Sequence, residues 1–191
     1  MFKNLEEYQV VLASNSPRRQ QLLKELGINF QVKSSQGEEV YPEPMNSMDV
    51  AEFLAIQKAD WFTDFTNNEL YITADTVVIY GDTVLGKPNS KEDAFSILKS
   101  LSGNAHKVVT GFCLKSKNKM VSKSVTTSVF FDDLTDSQIE YYIENYKPFD
   151  KAGSYGIQEW IGMIGISKIE GSYFNVMGLP SNVVYKELMN Y

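Results

Sequence analysis

A chain of 191 residues, 43% hydrophobic and 22% charged, has ordinary globular composition and is long enough for one domain with a core, so long disorder is not expected. Its formal net charge is −6 and it carries no Lys/Arg-rich block, which argues against sequence-independent nucleic-acid binding; a polyanion would have to be met by a few placed cations or a metal. The single cysteine, Cys113, excludes an internal disulfide and argues against a cysteine-based zinc site, and no apolar run reaches the length of a membrane span.

In chain order, residues 1–8 are charged and lack the apolar stretch of a signal peptide, so a cytoplasmic protein with no membrane partner is expected. Gln9–Ala13 reads as a strand. Pro17–Leu26 reads as a helix with Ser16 as N-cap, Pro17 at its first position, Gly27 as its stop and Leu22, Leu23 and Leu26 on one apolar face. Asn29–Ser34 is a second strand, followed by the polar loop Ser35–Asn46 and a helix over Met48–Phe62. Leu70–Ile79 is an apolar strand interrupted by Asp75 and Thr76, and Gly81-Asp82 predicts a hairpin turn into Thr83–Leu85. Ser90, with Asp93 three residues on, starts a helix that ends near Gly103. His106–Ser116 and Met120–Phe130 are long strands joined at Lys117-Asn118. A capping box, Thr135 to Gln138, opens a helix that runs to Tyr146. Met163–Ile169 is a strand and Pro180–Met189 a closing helix. With no repeat and no linker, residues 1–191 read as one α/β domain built on a mixed sheet.

Two features resist a purely structural reading. The first is Ser14-Asn15-Ser16-Pro17-Arg18-Arg19, which follows a strand and opens a helix. Arginines in a first helical turn sit at the positive end of the macrodipole, and they become favourable there when an anion lies between them and the turn's unpaired amides. Ser14 and Ser16 add hydroxyl donors. The blander alternative is a Ser cap with two solvated arginines. The second is Asp75, inside an otherwise apolar strand. A carboxylate there must be paired, metal-bound or neutral, or else cap its own turn. Neither Asp75 nor the Glu38-Glu39 pair has a cation beside it in the local sequence, so an ion between Glu39 and Asp75 is expected, and Mg²⁺ suits such a donor set. Removing the Asp75 charge is then expected to hold or raise stability.

Lys58, Lys87 and Lys151 stand out by their neighbours, although on base rates each is a solvated lysine. His106, the only histidine, fits a structural role. Gly153-Ser154-Tyr155-Gly156-Ile157-Gln158 is either an ordinary turn or a close backbone approach to a ligand. Trp160, Tyr173 and Phe174 are treated as core aromatics rather than base platforms.

Ser14-Asn15-Ser16-Pro17-Arg18-Arg19, Glu38-Glu39, Lys58-Ala59, Ala74-Asp75-Thr76-Val77-Val78, Gly86-Lys87-Pro88, His106-Lys107-Val108-Val109-Thr110-Gly111, Asp150-Lys151-Ala152-Gly153-Ser154-Tyr155-Gly156-Ile157-Gln158 and Gly178-Leu179-Pro180 follow in an order and spacing that resembles the Maf family. Each piece alone is weak; eight in order, through nearly the whole chain, are specific. The resemblance implies an elongated α/β fold similar to the inosine triphosphatases, with a central cleft between two lobes, and a homodimer. It implies an enzyme that splits a nucleoside triphosphate into monophosphate and pyrophosphate with a divalent metal, Mg²⁺ or Mn²⁺. By motif match Asp75 takes the place of the catalytic base. Arg18, Thr76 and Gln158 match specificity positions. Ser14, Ser16, Arg19, Lys58, Lys87 and Lys151 match cleft positions, and Glu39 the acidic one. The Gly156-Ile157-Gln158 ending resembles the branch acting on dTTP and UTP, while Glu159-Trp160 beyond it is less familiar. Two other readings stand beside this one: a non-catalytic nucleotide-binding regulator of septum formation, against which the intact Asp75 argues, and a purine-directed (ITP/XTP) pyrophosphatase, against which Ile157-Gln158 argues.

Overall fold

Three strands of the sheet, β3 (Glu69–Tyr80), β5 (Ala105–Lys115) and β6 (Met120–Phe131), carry the chain between two compact units. The computed structural model describes residues 3–34, 37–64 and 68–191. One unit comprises Met1–Asp75, Thr110–Val125 and Gly178–Tyr191; the other comprises Thr76–Val109 and Thr126–Met177. The seven-stranded sheet has the order β2-β1-β3-β5-β6-β7, with β4 (Thr83–Leu85) paired to β3. It is mixed. β1 (Gln9–Leu12) runs parallel to β2 (Gln31–Val32) and to the start of β3, with Gln9 opposite Glu69 and Leu12 opposite Ile72. β4 is antiparallel to β3, and β7 (Ile166–Glu170) is antiparallel to β6. The expected mixed-sheet α/β class is the one observed.

In the first unit, α1 (Pro17–Glu25) begins where Ser16 Oγ accepts the Arg19 amide at 3.5 Å, and it stops at Gly27, whose φ of +76° favours glycine. Leu22 and Leu23 are buried and Leu26 half-buried, as the apolar stripe predicts. The inward face of α2 (Val50–Asp60) is Val50, Ala51, Leu54, Ala55, Lys58 and Ala59. Its alanines let the helix lie directly on β5. A Cβ added to Gly111 would come within 2.4 Å of the Ala51 carbonyl and Glu52 Cα. That close seating turns the last residues of the stripe, including Lys58, inward. Cys113 is fully buried, and burial pushes its thiol up to about 12, so it serves as a small hydrophobe.

In the second unit, α3 (Lys91–Leu101) is capped by Ser90 Oγ, which accepts the Asp93 amide at 3.1 Å. The Asp93 carboxylate accepts from Asn89 N rather than from Ser90 N, so the return half of the box is displaced by one residue. α4 (Asp136–Tyr146) has the full Thr135–Gln138 box and ends at Lys147, in the left-handed region at φ +47°. His106 is buried and its Nε2 lies 2.7 Å from the Tyr155 hydroxyl, with Phe131 completing an aromatic cluster. Burial pulls the imidazole down to about 4, so it stays neutral near pH 7, in keeping with a structural role.

The expected strand over Leu70–Ile79 is β3, and it accommodates Asp75 because a buried ion pair compensates the aspartate. Two sequence expectations are corrected. The second strand shrinks from Asn29–Ser34 to Gln31–Val32, two exposed residues at the sheet edge that pair with β1. The segment Met163–Gly165 belongs to a helix, α5 (Trp160–Gly165), and β7 begins only at Ile166. A short apolar run does not distinguish helix from strand by period; the turn that leads into α5 is tight enough that a Cβ added at Gly162 would fall 1.9 Å from the Ile157 carbonyl oxygen. A short helix, α6 (Tyr173–Val176), and α7 (Ser181–Met189) complete the chain. No helix among the described residues is long and apolar enough to cross a membrane.

Candidate functional site

In the first unit the sequence-predicted residues gather around one buried ammonium. Lys58, in the last turn of α2, lies 2.5 Å from Asp75 Oδ1 and 2.9 Å from Glu39 Oε1. The Lys58 and Asp75 side chains are 7% and 12% exposed, whereas Glu39, in the loop after β2, is 44% exposed. The premise that Glu39 and Asp75 lack a cationic partner is therefore corrected: Lys58, supplied by a helix rather than by the local sequence, pairs with both. Lys58 is not the solvated lysine that base rates suggest. The signal for this lay in the helical stripe: Lys58 falls at i+4 from Leu54 and i+3 from Ala55, on the face α2 buries.

The serine–arginine motif forms a second group in the same unit. Ser14 is buried, and its Oγ accepts the Ser16 amide at 3.2 Å and Arg19 Nη1 at 3.4 Å. Arg19 Nε donates to the Gly178 carbonyl at 2.8 Å, which ties the start of α1 to the Gly178-Leu179-Pro180 motif. Burial lowers the Arg19 pKa, the Asp75 carboxylate raises it, Arg18 lowers it and Glu39 raises it. Arg19 thus lies in the field of both carboxylates that Lys58 holds, and Arg18 in turn lies in the field of Arg19. In this arrangement the two serine oxygens act as acceptors, and Ser16 is the helix cap that the blander reading describes.

In the second unit, Thr76 follows Asp75 along β3, is half-buried and leaves the opposite face of the strand. Lys87 is exposed, just after β4. The Gly86 carbonyl accepts the Gly153 amide at 3.1 Å, so the Gly86-Lys87-Pro88 and Asp150–Gln158 motifs are joined through their backbones. Lys151 is buried and pairs with Asp150 Oδ1 at 2.8 Å and Glu159 Oε1 at 3.2 Å. Gln158 is exposed in the turn before α5. Glu159, and Tyr142 which donates to its other oxygen, were not singled out from sequence as site residues. The unfamiliar Glu159-Trp160 pair was the only hint, and nothing marked Tyr142.

Chemically, the first unit offers cations and hydroxyls at a helix start beside a buried carboxylate held by an ammonium. This combination suits polyphosphate rather than an apolar ligand. The comparisons agree. The sequence model described as Maf-like protein matches residues 9–191. The dTTP/UTP pyrophosphatase of Flavobacterium psychrophilum is 48% identical over 190 residues, covering 99% of this chain and 97% of that protein. That of Phocaeicola vulgatus is 50% identical over 190 residues, covering 98% of each. That of Parabacteroides distasonis is 48% identical over 193 residues, covering 100% of each. Among solved structures, a HAM1 protein from Coxiella burnetii shares the fold at TM-score 0.50 and 12% identity, covering 96% of this chain and 100% of that one.

Proposed function

The chain belongs to the Maf family, and from that premise we propose that it hydrolyses dTTP, UTP and related pyrimidine nucleoside triphosphates to the monophosphate and pyrophosphate. The observation that carries this reading is the buried Asp75–Lys58 pair, with the exposed Glu39 as the second carboxylate on Lys58, in a unit that also holds Ser14, Ser16, Arg18 and Arg19. A purely structural ion pair has no need of a second carboxylate or of arginines set against a helix dipole.

In this reading Asp75 accepts the proton of the attacking water, while Lys58, engaged with Oδ1, fixes the carboxylate's orientation. Arg18, Arg19, Ser14, Ser16, Lys87 and Lys151 neutralise and orient phosphate oxygens; positioning and charge, more than covalent chemistry, are what phosphoryl transfer requires. Glu39 and Asp75 fit a hard divalent cation: they are oxygen donors already convergent on one positive charge, and Mg²⁺ takes few carboxylates and completes its shell with water and phosphate. Bound there, Mg²⁺ or Mn²⁺ would offset phosphate charge and lower the pKa of water. We assign base recognition to Thr76, Arg18 and Gln158, and read residues 1–191 as one functional domain of a cytoplasmic homodimer. The match over 9–191, which includes both units, supports a single domain.

A pyrophosphate-release assay over a nucleotide panel tests the assignment. The Gln158 amide offers a donor and an acceptor to the O4/N3 edge of uracil or thymine, and a mismatched base leaves polar groups unpaired. dTTP and UTP should exceed CTP, ATP and GTP in kcat/KM by about tenfold or more, and Gln158→Ala should flatten that ranking. Equal efficiency on ATP would refute it. Arg18→Ala should weaken nucleotide binding about tenfold or more through loss of a charge-assisted contact. Its melting temperature should hold or rise slightly, since a cation has left the wrong end of a helix. Normal nucleotide affinity in that variant would remove the helix-start anion site.

A further inference from the structure

Two carboxylates of different standing hold the Lys151 ammonium. Asp150 is 63% exposed, and a pair to such a group contributes little; Glu159 is 19% exposed and is itself anchored. The second oxygen of Glu159 accepts from the hydroxyl of Tyr142, a fully buried residue of α4. That hydroxyl oxygen in turn accepts the Gly156 amide at 3.0 Å. A continuous run of donors and acceptors thus links the Gly156 backbone to the Lys151 ammonium, both on the segment that ends in Gln158.

Two independent observations show that this placement is specific. Glu159 is the N-cap residue of α5, yet its side chain makes no bond to the first amides of the helix. Its carboxylate is turned back across Gly156 instead. A Cβ at 156 would lie 2.8 Å from Cδ, 3.0 Å from Oε2 and 3.1 Å from Oε1 of Glu159, so the absence of a side chain there is what admits the carboxylate. Burial, and then Glu159, push the Tyr142 hydroxyl above its ordinary pKa, so it remains a donor.

We propose that Glu159 is a positioning residue for nucleotide hydrolysis: with Tyr142 it fixes the Lys151 ammonium and the turn that presents Gln158. The inference rests on the pyrophosphatase reading above, in which Lys151 meets phosphate and Gln158 meets the base. Glu159→Gln keeps an acceptor for Tyr142 but sets an amide N–H against the Lys151 ammonium, donor facing donor. Tyr142→Phe removes a single oxygen and leaves the Gly156 amide without its acceptor.

The test is steady-state hydrolysis of dTTP and CTP by wild type, both single variants and the double variant. Alongside it, each lysine's acetylation rate by acetic anhydride is read by mass spectrometry. Glu159→Gln should raise KM for dTTP about tenfold with kcat within about threefold, because the contacts displaced bind ground state and transition state alike. The preference for dTTP over CTP should fall, and Lys151, protected in the wild type, should acetylate several times faster. Should Glu159→Gln not fold, Tyr142→Phe carries the same KM expectation. The two substitutions together should cost less than the product of their separate effects, as expected for one network. If the variants lose melting temperature but keep wild-type KM and base preference, Glu159 is structural only and the proposal falls. A wild-type chain that releases no pyrophosphate from any nucleotide overturns the parent reading, and this one with it. An active wild type whose Glu159→Gln variant matches it in KM and Lys151 labelling overturns this inference alone.

Discussion

Asp75→Asn is expected to lower kcat on dTTP by about 10²- to 10⁴-fold, the usual range for removal of a positioned general base. The asparagine keeps the shape and can still accept from Lys58, but it cannot take a proton from water. If Asp75 acts chiefly as the base, KM changes little. If it chiefly holds the metal, kcat and metal affinity fall together, and raised Mg²⁺ recovers part of the rate. The structure reverses the stability expectation drawn from sequence. Asp75 is not an isolated buried charge but one arm of a buried pair, with Lys58 Nζ at 2.5 Å. Deleting one partner of such a pair leaves the other uncompensated, at about 3–5 kcal/mol in the full case. Glu39 stays bound to Lys58 but is 44% exposed and offsets only part of this. A loss of about 1–3 kcal/mol is therefore expected, roughly 2–10 °C in melting temperature for a chain of this size. A variant that hydrolyses dTTP at the wild-type rate would remove Asp75 from the mechanism. One that melts higher than the wild type would show that the Lys58 pair is not what makes the carboxylate tolerable.

The same cluster marks where sequence reasoning succeeded and where it stopped. Capping and turn chemistry are local, and they were legible residue by residue: Ser16 and Pro17 at α1, Thr135 and Gln138 at α4, Gly81-Asp82 between β3 and β4. The site residues were found as motifs, but their partners were not, because partnership is set by packing. Lys58 and Asp75 are 17 residues apart and meet through the packing of α2 on the sheet, where Thr73 of β3 donates to the Ala55 carbonyl. Arg19 reaches the Gly178 carbonyl across 159 residues. Met163–Gly165 differs for another reason: a short apolar run has no period that separates helix from strand, and the local turn between Ile157 and Gly162 leads into a helix. In Lys58 the sequence held usable information that base rates overrode, since a lysine in line with Val50, Ala51, Leu54 and Ala55 shares the buried face of their helix.

Excess EDTA should suppress pyrophosphate release by at least about 10²-fold, and Mg²⁺ or Mn²⁺ should restore it. The charge balance of the cluster is the reason. Lys58 carries one positive charge between two carboxylates, so the three groups together remain negative. A triphosphate brought beside them meets repulsion of about 4 kcal/mol for each like-charge pair at 4 Å and an effective dielectric of 20. Arg18 and Arg19 offset part of this, but Arg19 is already committed to Gly178 and Ser14. A divalent cation held by Glu39 and Asp75 reverses the sign of the local charge, whereas a further monovalent one would only cancel it. Glu39→Gln separates this role from proton transfer. It leaves Asp75 and its lysine in place, so kcat at saturating Mg²⁺ should stay within about threefold of wild type, while the Mg²⁺ needed for half-maximal rate rises about tenfold. A readout without turnover is available as well: a non-hydrolysable dTTP analogue should raise the melting temperature of the wild type less, at equal concentration, when EDTA is present than when Mg²⁺ is. Full turnover in excess EDTA would end the metal assignment and leave Lys58, Arg18 and Arg19 as the cations of the reaction.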